Sequence, residues 1–197
     1  RKAIPVGSGQ MPVLMGKYNV PHFDAKGEAN HFFLDRGLPV TLLNTSFYWD
    51  NLIHFGMGPT AGPDGNLVIT FPMGDAKLPG IAAEDIGRCA FGIFKAGPPA
   101  TGQTIGIAGE HLTGTEMAAS LSQVLGRPVA YNAVSPDVYR SFGFPGADDL
   151  GNMFQFKRDF ETEFCAARSI ENTRKLNPAL KSFQQWLEAN RDAFLKN

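Results

Sequence analysis

Two hydrophobic periodicities alternate along this chain from about residue 24 onward. Apolar residues three or four positions apart predict helices, and short β-branched apolar runs predict strands. The predicted helices cover 24–36, a segment beginning near Asp85, 113–126, a segment beginning at Ser135, and much of the chain after it, up to 182–195. The predicted strands cover 38–44, 66–71, 103–108 and 128–134. This alternation indicates an α/β fold with a mainly parallel sheet and a helical C-terminal portion.

Local signals set several of these boundaries. Residues 113–116 (Thr-Gly-Thr-Glu) match a capping box, and Gly126 is the predicted end of the helix that follows. Ser135 is a predicted N-cap with proline at the first helical position. In the first helix, Asp24 is the predicted N-cap and Gly37 the predicted end.

Glycine and proline are concentrated in two places that predict loops. Residues 1–20 contain Pro5, Gly7, Gly9, Pro12 and Gly16. Such a stretch predicts an N-terminal loop, and long structureless loops are uncommon in compact domains. We therefore expect the sequence to be the C-terminal part of a longer chain. Residues 63–65 (Pro-Asp-Gly) predict a turn before the second strand.

Charge and composition narrow the class of protein. The 18 Lys and Arg residues balance 19 Asp and Glu residues, for a net charge of −1. This balance argues against a nucleic-acid-binding surface, because such surfaces carry a basic stripe. No apolar run approaches the roughly 18 residues that a membrane span needs. Two cysteines, Cys89 and Cys165, are too few for a disulfide framework and indicate a reducing compartment. We expect a cytoplasmic protein, with the nucleus as a second location.

Common catalytic motifs give weak signals in this sequence. The four histidines lack the His-Glu-x-x-His spacing and no Cys-x-x-Cys is present, so we expect no metal site. The loop at 106–109 (Gly-Ile-Ala-Gly) precedes a capped helix, and a helix N-terminus can hold a phosphate. Glu110 opposes an anion there, so we prefer an ordinary strand-to-helix loop.

Two further candidates are interpreted as structural. Cys89 lies on the apolar face of its predicted helix and is expected to be a small core residue. The pair Lys157 and Arg158 is followed by three acidic residues between positions 159 and 163. This mixture of charges indicates a solvated helix face.

Polar side chains in two segments fall where ligands bind in this class of fold. His22 and Lys26 are four residues apart, so on one helix they share a face. Residues 48–51 (Tyr-Trp-Asp-Asn) follow the first predicted strand, and open α/β sheets bind ligands at the carboxyl ends of strands. A lysine ammonium there can order a ribose or a nicotinamide. On spacing alone, an exposed lysine and aromatic core residues explain the same pattern.

Several motifs occur in a fixed order along the chain. They are residues 20–28 (VPHFDAKGE), 37–41 (GLPVT), 48–51 (YWDN), 85–87 (DIG), 142–150 (FGFPGADDL), 152–154 (NMF) and 176–178 (LNP). In this order they resemble the NmrA-like family, atypical members of the short-chain dehydrogenase/reductase group that include the redox sensor HSCARG. The resemblance extends from about Met11 to near the C-terminus.

The resemblance implies a Rossmann-like domain that binds NADP, or NAD, beside a smaller and mostly helical α/β domain. Lys26 takes the position of the family lysine that contacts the nicotinamide ribose. His22 stands where active short-chain dehydrogenases carry the tyrosine of their Tyr-x-x-x-Lys pair, which makes His22 and Lys26 the candidate catalytic residues. The loop that lines the nicotinamide end contains Tyr48, Trp49, Asp50 and Asn51.

The resemblance also implies a division of the chain. Residues 1–55 correspond to the C-terminal part of the nucleotide-binding domain, and residues 56–197 to the smaller domain, with strands that can return to the main sheet. The family's glycine-rich pyrophosphate turn belongs to a first βα unit that this sequence does not supply. We therefore expect an incomplete cofactor site with little dinucleotide affinity of its own.

Three functions remain open at this point. The first is a regulatory protein that senses redox state by binding NAD(P)(H), with weak or no turnover, and changes its contact with a protein partner. The second is an NADPH-dependent reductase of a small carbonyl or quinone substrate. The third is a structural fragment that binds no cofactor. The replacement of the usual tyrosine by His22 favours binding over catalysis.

Overall fold

The computed structural model describes residues 19–62 and 65–195. Its helices are α1 (Pro21–Leu34), α2 (Asn51–His54), α3 (Ala83–Ala96), α4 (Gly114–Leu125), α5 (Pro136–Arg140), α6 (Ala147–Asp159), α7 (Glu161–Ala166), α8 (Ile170–Leu176), α9 (Phe183–Ala189) and α10 (Arg191–Leu195). Its strands are β1 (Leu42–Asn44), β2 (Phe47–Tyr48), β3 (Thr60–Ala61), β4 (Leu67–Phe71), β5 (Leu78–Ile81), β6 (Thr104–Gly106), β7 (Glu110–Leu112) and β8 (Val129–Ala133). The predicted loop at residues 1–18, and Pro63 and Asp64 of the predicted turn, lie outside the described residues.

The strands form three small sheets in the described part of the chain. Strand β1 pairs with β6, and β2 pairs with β5, both in parallel. Strand β4 pairs in parallel with β8 over its whole length. Two antiparallel pairs, β3 with β4 and β5 with β7, complete the sheets. Helix α4 packs against β8 and α9, so the alternation of strands and helices produces the α/β architecture predicted from the sequence.

Helix α1 begins earlier than the sequence predicts. Its N-cap is Val20 and its first helical residue is Pro21, whose fixed φ suits the first turn. Asp24 is therefore not the N-cap but lies inside the first turn, where its charge favours the helix dipole. The early start places both His22 and Lys26 within one helix. Gly37 follows the helix with φ of 63°, in agreement with its predicted role at the end.

The capping signals of the later helices are confirmed. Thr113 and Glu116 form a reciprocal capping box, and α4 ends at Gly126 in the left-handed conformation. The Ser135 side chain accepts a hydrogen bond from the backbone N–H of Val138, as expected for an N-cap. These contacts involve residues no more than a few positions apart, which is why the sequence predicts them.

Strand predictions differ more from the structure. The predicted strand 38–44 contains only β1, because the chain turns at Leu38, whose carbonyl accepts from the N–H of Val40 at 2.8 Å. Strand β5 (Leu-Pro-Gly-Ile) is missing from the prediction, since proline and glycine usually interrupt strands. It is nonetheless the central and fully buried strand of its sheet.

One large core joins the two halves of the predicted division. Phe47, on β2, packs in a T-shaped contact with Phe71 on β4, with ring centroids 5.8 Å apart. Phe154 on α6 contacts both rings. Strands β1 and β2 also pair with strands from the second half, as the sequence analysis allowed. The boundary at residue 55 stays a prediction.

Candidate functional site

A cavity of about 1010 Å³ opens beside α1 and the carboxyl ends of β1 and β2. Its walls come from α1, from the segment 40–48, from the start of α2 and from α6. Thirteen of the 23 lining residues are apolar or aromatic, and the other ten are polar or charged. A cavity of this size and composition at the ends of parallel strands is typical of small-molecule sites in α/β proteins.

Four of the six residues singled out for the site line this cavity. His22 and Lys26 face it from α1, where their spacing of four places them on one side of the helix. Tyr48, at the end of β2, and Asn51, at the start of α2, face it from the opposite segment. The Tyr48 hydroxyl lies 3.1 Å from the Thr45 hydroxyl. Helix α1 and the two strand ends therefore bring these four residues together.

Trp49 and Asp50 do not line the cavity, in contrast to the prediction. The Trp49 side chain is 1% exposed and packs in the core against Phe183 and Trp186, with centroids 5.3 and 6.1 Å away. Its neighbour Asp50 accepts a hydrogen bond of 2.7 Å from the backbone N–H of Ala83, at the start of α3. Alternation along an extended chain explains the position of Trp49, since Tyr48 and Trp49 point to opposite faces.

His22 is held by a partner far along the sequence. Its Nδ1 lies 2.7 Å from Oδ2 of Asp149, in the first turn of α6. A carboxylate can only accept, so Nδ1 carries the proton and Nε2 of the neutral ring is left as an acceptor. The ring also makes an edge contact with Phe23. The imidazole is thus fixed in orientation at the cavity wall.

Lys157 is a cavity residue that the sequence analysis misinterpreted. The prediction of a solvated face is wrong for this residue, which is 3% exposed on α6, whereas Arg158 is half-buried and pairs with Asp159. Lys157 follows Leu150 and Met153 at helical spacing, and all three line the cavity. This apolar stripe was the signal available in the sequence. Burial, together with the nearby charges of Arg168 and Lys26, lowers the pKa of Lys157 to about 7.

Arg168 is a second buried cation on the cavity wall that the sequence did not reveal. It is 2% exposed, and its Nε donates to the carbonyl oxygen of Thr45 at 2.8 Å. Its guanidinium carbon lies 3.6 Å above the ring centroid of Phe164. The His111 ring donates to the Arg168 carbonyl at 2.8 Å. Burial lowers the pKa of Arg168 to about 10, so the side chain stays charged at neutral pH.

Residues 106–109 connect β6 to β7 and do not lead from a strand into a helix, in contrast to the prediction. A side chain at Gly106 would collide with the backbone carbonyl of Ala167, and one at Gly109 would lie 2.7 Å from the Trp49 ring. Both glycines therefore allow close packing. Glu110 accepts a hydrogen bond of 2.6 Å from the backbone N–H of Phe183. Its carboxylate stabilises the start of α9.

Neither cysteine has the low pKa that a reactive thiol needs. Cys89 is fully buried in a hydrophobic cluster, as predicted, and burial raises its pKa to about 11. Burial likewise raises the pKa of Cys165 to about 11.

Within residues 19–62 and 65–195, no group of three or more His, Cys, Asp or Glu side chains is arranged to hold a metal ion. No helix in this part of the chain combines the length and apolar composition needed to cross a bilayer.

Comparison with known proteins identifies relatives of this fold. The NmrA-like family matches residues 4–187. The structure resembles NmrA, a negative transcriptional regulator, with 23% identity and a TM-score of 0.69 over 88% of this chain and 60% of that one. It also resembles Citrobacter sp. triphenylmethane reductase complexed with NADP(H), with 18% identity and a TM-score of 0.64, over 85% of this chain and 58% of that one.

A third similar structure is the Escherichia coli NADPH-dependent quinone oxidoreductase QOR2 complexed with NADPH. Here the identity is 19% and the TM-score 0.66, over 92% of this chain and 62% of that one. The chain thus spans about 60% of the length of NmrA. These likenesses confirm the predicted fold class, a Rossmann-like α/β architecture of the NAD(P)-binding type.

Proposed function

Because this chain belongs to the NmrA-like family, we propose that its cavity receives the nicotinamide end of NAD(P)(H), and that binding serves redox sensing and regulation with little or no turnover. One observation carries the proposal. Lys26, Tyr48 and Asn51, which lie on separate elements, line a single cavity at the carboxyl ends of parallel strands. This is the region in which doubly wound α/β folds bind dinucleotides.

The residues of the cavity fit the chemistry of a nicotinamide riboside. A ribose offers hydroxyl groups and a nicotinamide offers a carboxamide, and both need a few polar partners on an apolar surface. Lys26, Tyr48 and Asn51 would hold these groups. Ser46 also lines the cavity, and its buried hydroxyl has no hydrogen-bond partner among the described residues. Such an atom gains a partner when a polar ligand binds.

His22 favours binding over turnover. A bound nicotinamide supplies or accepts a hydride, and reduction of a carbonyl also requires a proton donor at the substrate. Because Nδ1 of His22 is engaged by Asp149, the neutral ring presents only an acceptor at Nε2. Short-chain dehydrogenases usually place a tyrosine hydroxyl at this position. In this tautomer Nε2 would orient a ligand hydroxyl by accepting its proton in a hydrogen bond.

The cysteines support a dinucleotide-based signal. Thiol sensors need an accessible thiolate, and both thiols here have a pKa raised to about 11 by burial. A redox response of this chain therefore depends on which form of the dinucleotide is bound. We propose that the bound form changes the contact with a protein partner, in the cytoplasm and also in the nucleus. In this proposal residues up to 55 belong to the nucleotide-binding domain.

A reductase is the second candidate function, and the His22–Asp149 pair is the observation in its favour. Protonation of the ring would place a charged N–H at Nε2, with Asp149 stabilising the imidazolium. Two similar structures are a triphenylmethane reductase and a quinone oxidoreductase. The substrate would be a small carbonyl or quinone compound that fits above the nicotinamide.

A titration of this chain with two cofactors tests the proposal. Reduced nicotinamide mononucleotide contains only the nicotinamide end, while NADPH adds the pyrophosphate and adenosine. We expect the mononucleotide to bind weakly and NADPH to bind with similar affinity, because the residues proposed to hold the cofactor contact only its nicotinamide end. Substitution of Lys26 by methionine lowers both affinities about ten-fold, which corresponds to one lost charge-assisted hydrogen bond.

The matched control for this titration is Lys175→Met. Lys175 is an exposed lysine on α8 that pairs with Glu171 and does not line the cavity. This variant should bind both cofactors like the wild type. Failure of both cofactors to bind the wild type would overturn the proposal and favour the structural-fragment alternative. Steady oxidation of NADPH in the presence of a naphthoquinone, lost in Lys26→Met, would favour the reductase.

A further inference from the structure

Lys157 is a buried cation with no carboxylate partner in the described part of the chain. Its Nζ lies between 5.5 and 5.9 Å from the centroids of four phenylalanine rings, at positions 23, 47, 154 and 164. No Asp or Glu side chain among the described residues forms an ion pair with it. Residues 1–18 contain no Asp or Glu, so that segment has no carboxylate side chain to offer.

The charged groups around Lys157 do not compensate its charge. Arg168 lies over the same Phe164 ring, and Lys26 faces the cavity from α1, so both neighbours are cations. None of the acidic groups on the two helices that flank the cavity forms an ion pair with Lys157, although Oδ1 of Asp24 and Oδ1 of Asp149 are buried without a hydrogen-bond partner among the described residues. Asp149 is bound to His22, and Asp24 is buried in the first turn of α1 and does not line the cavity.

An uncompensated buried charge is costly, and its cost falls when an anion binds beside it. A lysine kept in such a place, open to a cavity, therefore indicates a ligand with a negative group. The pKa of Lys157, lowered to about 7, agrees with this interpretation, because the free site lacks a counter-charge.

We propose that the cavity binds a small apolar molecule with one carboxylate, and that this carboxylate lies against Lys157. This second ligand rests on the proposed function, because it occupies the same cavity as the nicotinamide. Three of the rings around Lys157, those of Phe23, Phe47 and Phe164, line the cavity and supply a surface for the apolar body. A singly charged carboxylate fits better than a phosphate, because a dianion loses more hydration energy on entering apolar walls.

Calorimetric binding of 2-naphthoate and of 2-naphthamide to this chain tests the proposal. The two compounds have the same shape and differ in charge. We expect naphthoate to bind the wild type about ten-fold more tightly than the amide, as for one charge-assisted contact. Lys157→Met should reduce naphthoate affinity to the level of the amide and leave the amide unchanged. Lys175→Met, the exposed control, should keep the preference.

Proton uptake provides a second readout from the same titrations. At about pH 8 the free Lys157 amine is mostly neutral, and a bound carboxylate raises its pKa, so binding takes up a proton. The measured enthalpy then depends on the ionisation heat of the buffer. We expect this dependence for naphthoate with the wild type and its loss in Lys157→Met.

Two results would overturn the carboxylate site. One is equal affinity of the wild type for naphthoate and naphthamide, a comparison that needs no variant. The other is a preference for naphthoate that persists in folded Lys157→Met. A parallel titration with reduced nicotinamide mononucleotide separates the two proposals. If the mononucleotide binds but naphthoate is not preferred over naphthamide, only the carboxylate site is disproved. If naphthoate is preferred but the mononucleotide does not bind, only the proposed cofactor binding is disproved.

Discussion

His22 and Asp149 are joined by a hydrogen bond of 2.7 Å although 127 positions separate them in the sequence. The contact connects the first turn of α1 to the first turn of α6, across one side of the cavity. Both residues belong to motifs that resemble the NmrA-like family. The bond therefore links two of those motifs in space and fixes the orientation of the imidazole at the cavity wall.

Loss of this contact is expected to destabilise the protein. Asp149→Ala should lower the free energy of unfolding by about 1–3 kcal/mol, because the half-buried imidazole loses its partner. Asp137→Ala is the matched control. Asp137 also lies in the first turn of a helix and forms an ion pair, but its side chain is 92% exposed. The control should cost about 0.5 kcal/mol or less. Urea unfolding measures the free energy of unfolding of both variants. Equal losses in Asp149→Ala and Asp137→Ala would contradict the structural role of the His22 contact.

Lys157 should make stability depend on pH between about 7 and 10. Its pKa is lowered from 10.5 to about 7 in the folded chain, so over this range the unfolded chain binds more protons. The free energy of unfolding therefore rises with pH, by at most about 1.4 kcal/mol per pH unit. This gain in stability is lost as the pH falls toward 7.

Lys157→Met should remove that dependence. The variant should also be more stable than the wild type at neutral pH by roughly 1–4 kcal/mol, since a methionine fits the phenylalanine rings without desolvating a charge. Urea unfolding at a series of pH values compares it with the wild type and with the exposed Lys175→Met. Parallel pH profiles for wild type and Lys157→Met would contradict the burial of a charged lysine.

Gly80 is required because of the Trp49 ring. A methyl group at Gly80 would collide with Nε1 of Trp49, and the buried indole has little room to move because it packs against Phe183 and Trp186. Gly80→Ala should lower the free energy of unfolding by at least about 1–3 kcal/mol.

Gly87→Ala is the control for this substitution. Gly87 lies exposed within α3, and a side chain there would have no neighbour within 4 Å. Alanine should raise stability by up to about 1 kcal/mol, because it favours the helix more than glycine does. Thermal unfolding distinguishes the two variants by the sign of the change, and a neutral Gly80→Ala would argue against the packing of Trp49.

The two thiols should react slowly in the folded protein. Their pKa values, raised to about 11, leave little thiolate at neutral pH, so iodoacetamide should modify Cys89 and Cys165 at least about a hundred-fold more slowly than in the urea-unfolded chain. Mass spectrometry of the labelled protein measures both rates. Fast labelling of either cysteine in the folded state would instead favour a thiol-based redox sensor.

Local sequence signals predicted the parts of the fold that local contacts control. The capping box at Thr113 and Glu116 and the N-cap at Ser135 depend on residues three positions apart, and both are present. The site residues His22 and Lys26 share a face for the same reason, once one helix contains both. By contrast, β5 contains proline and glycine and was missed, because its strand conformation depends on pairing with β2 and β7.

The sequence by itself determined the alternation of helices and strands, the family resemblance and four cavity residues, because periodicity, caps and motifs act over a few positions. Only the tertiary structure decided that Trp49 enters the core, that Asp50 binds the start of α3, and that Lys157 is buried rather than solvated. These outcomes depend on which distant surfaces meet. A lysine followed by charged residues in the sequence has the pattern of an exposed face, and only the convergence of rings from α1, β2, α6 and α7 excludes water from Lys157.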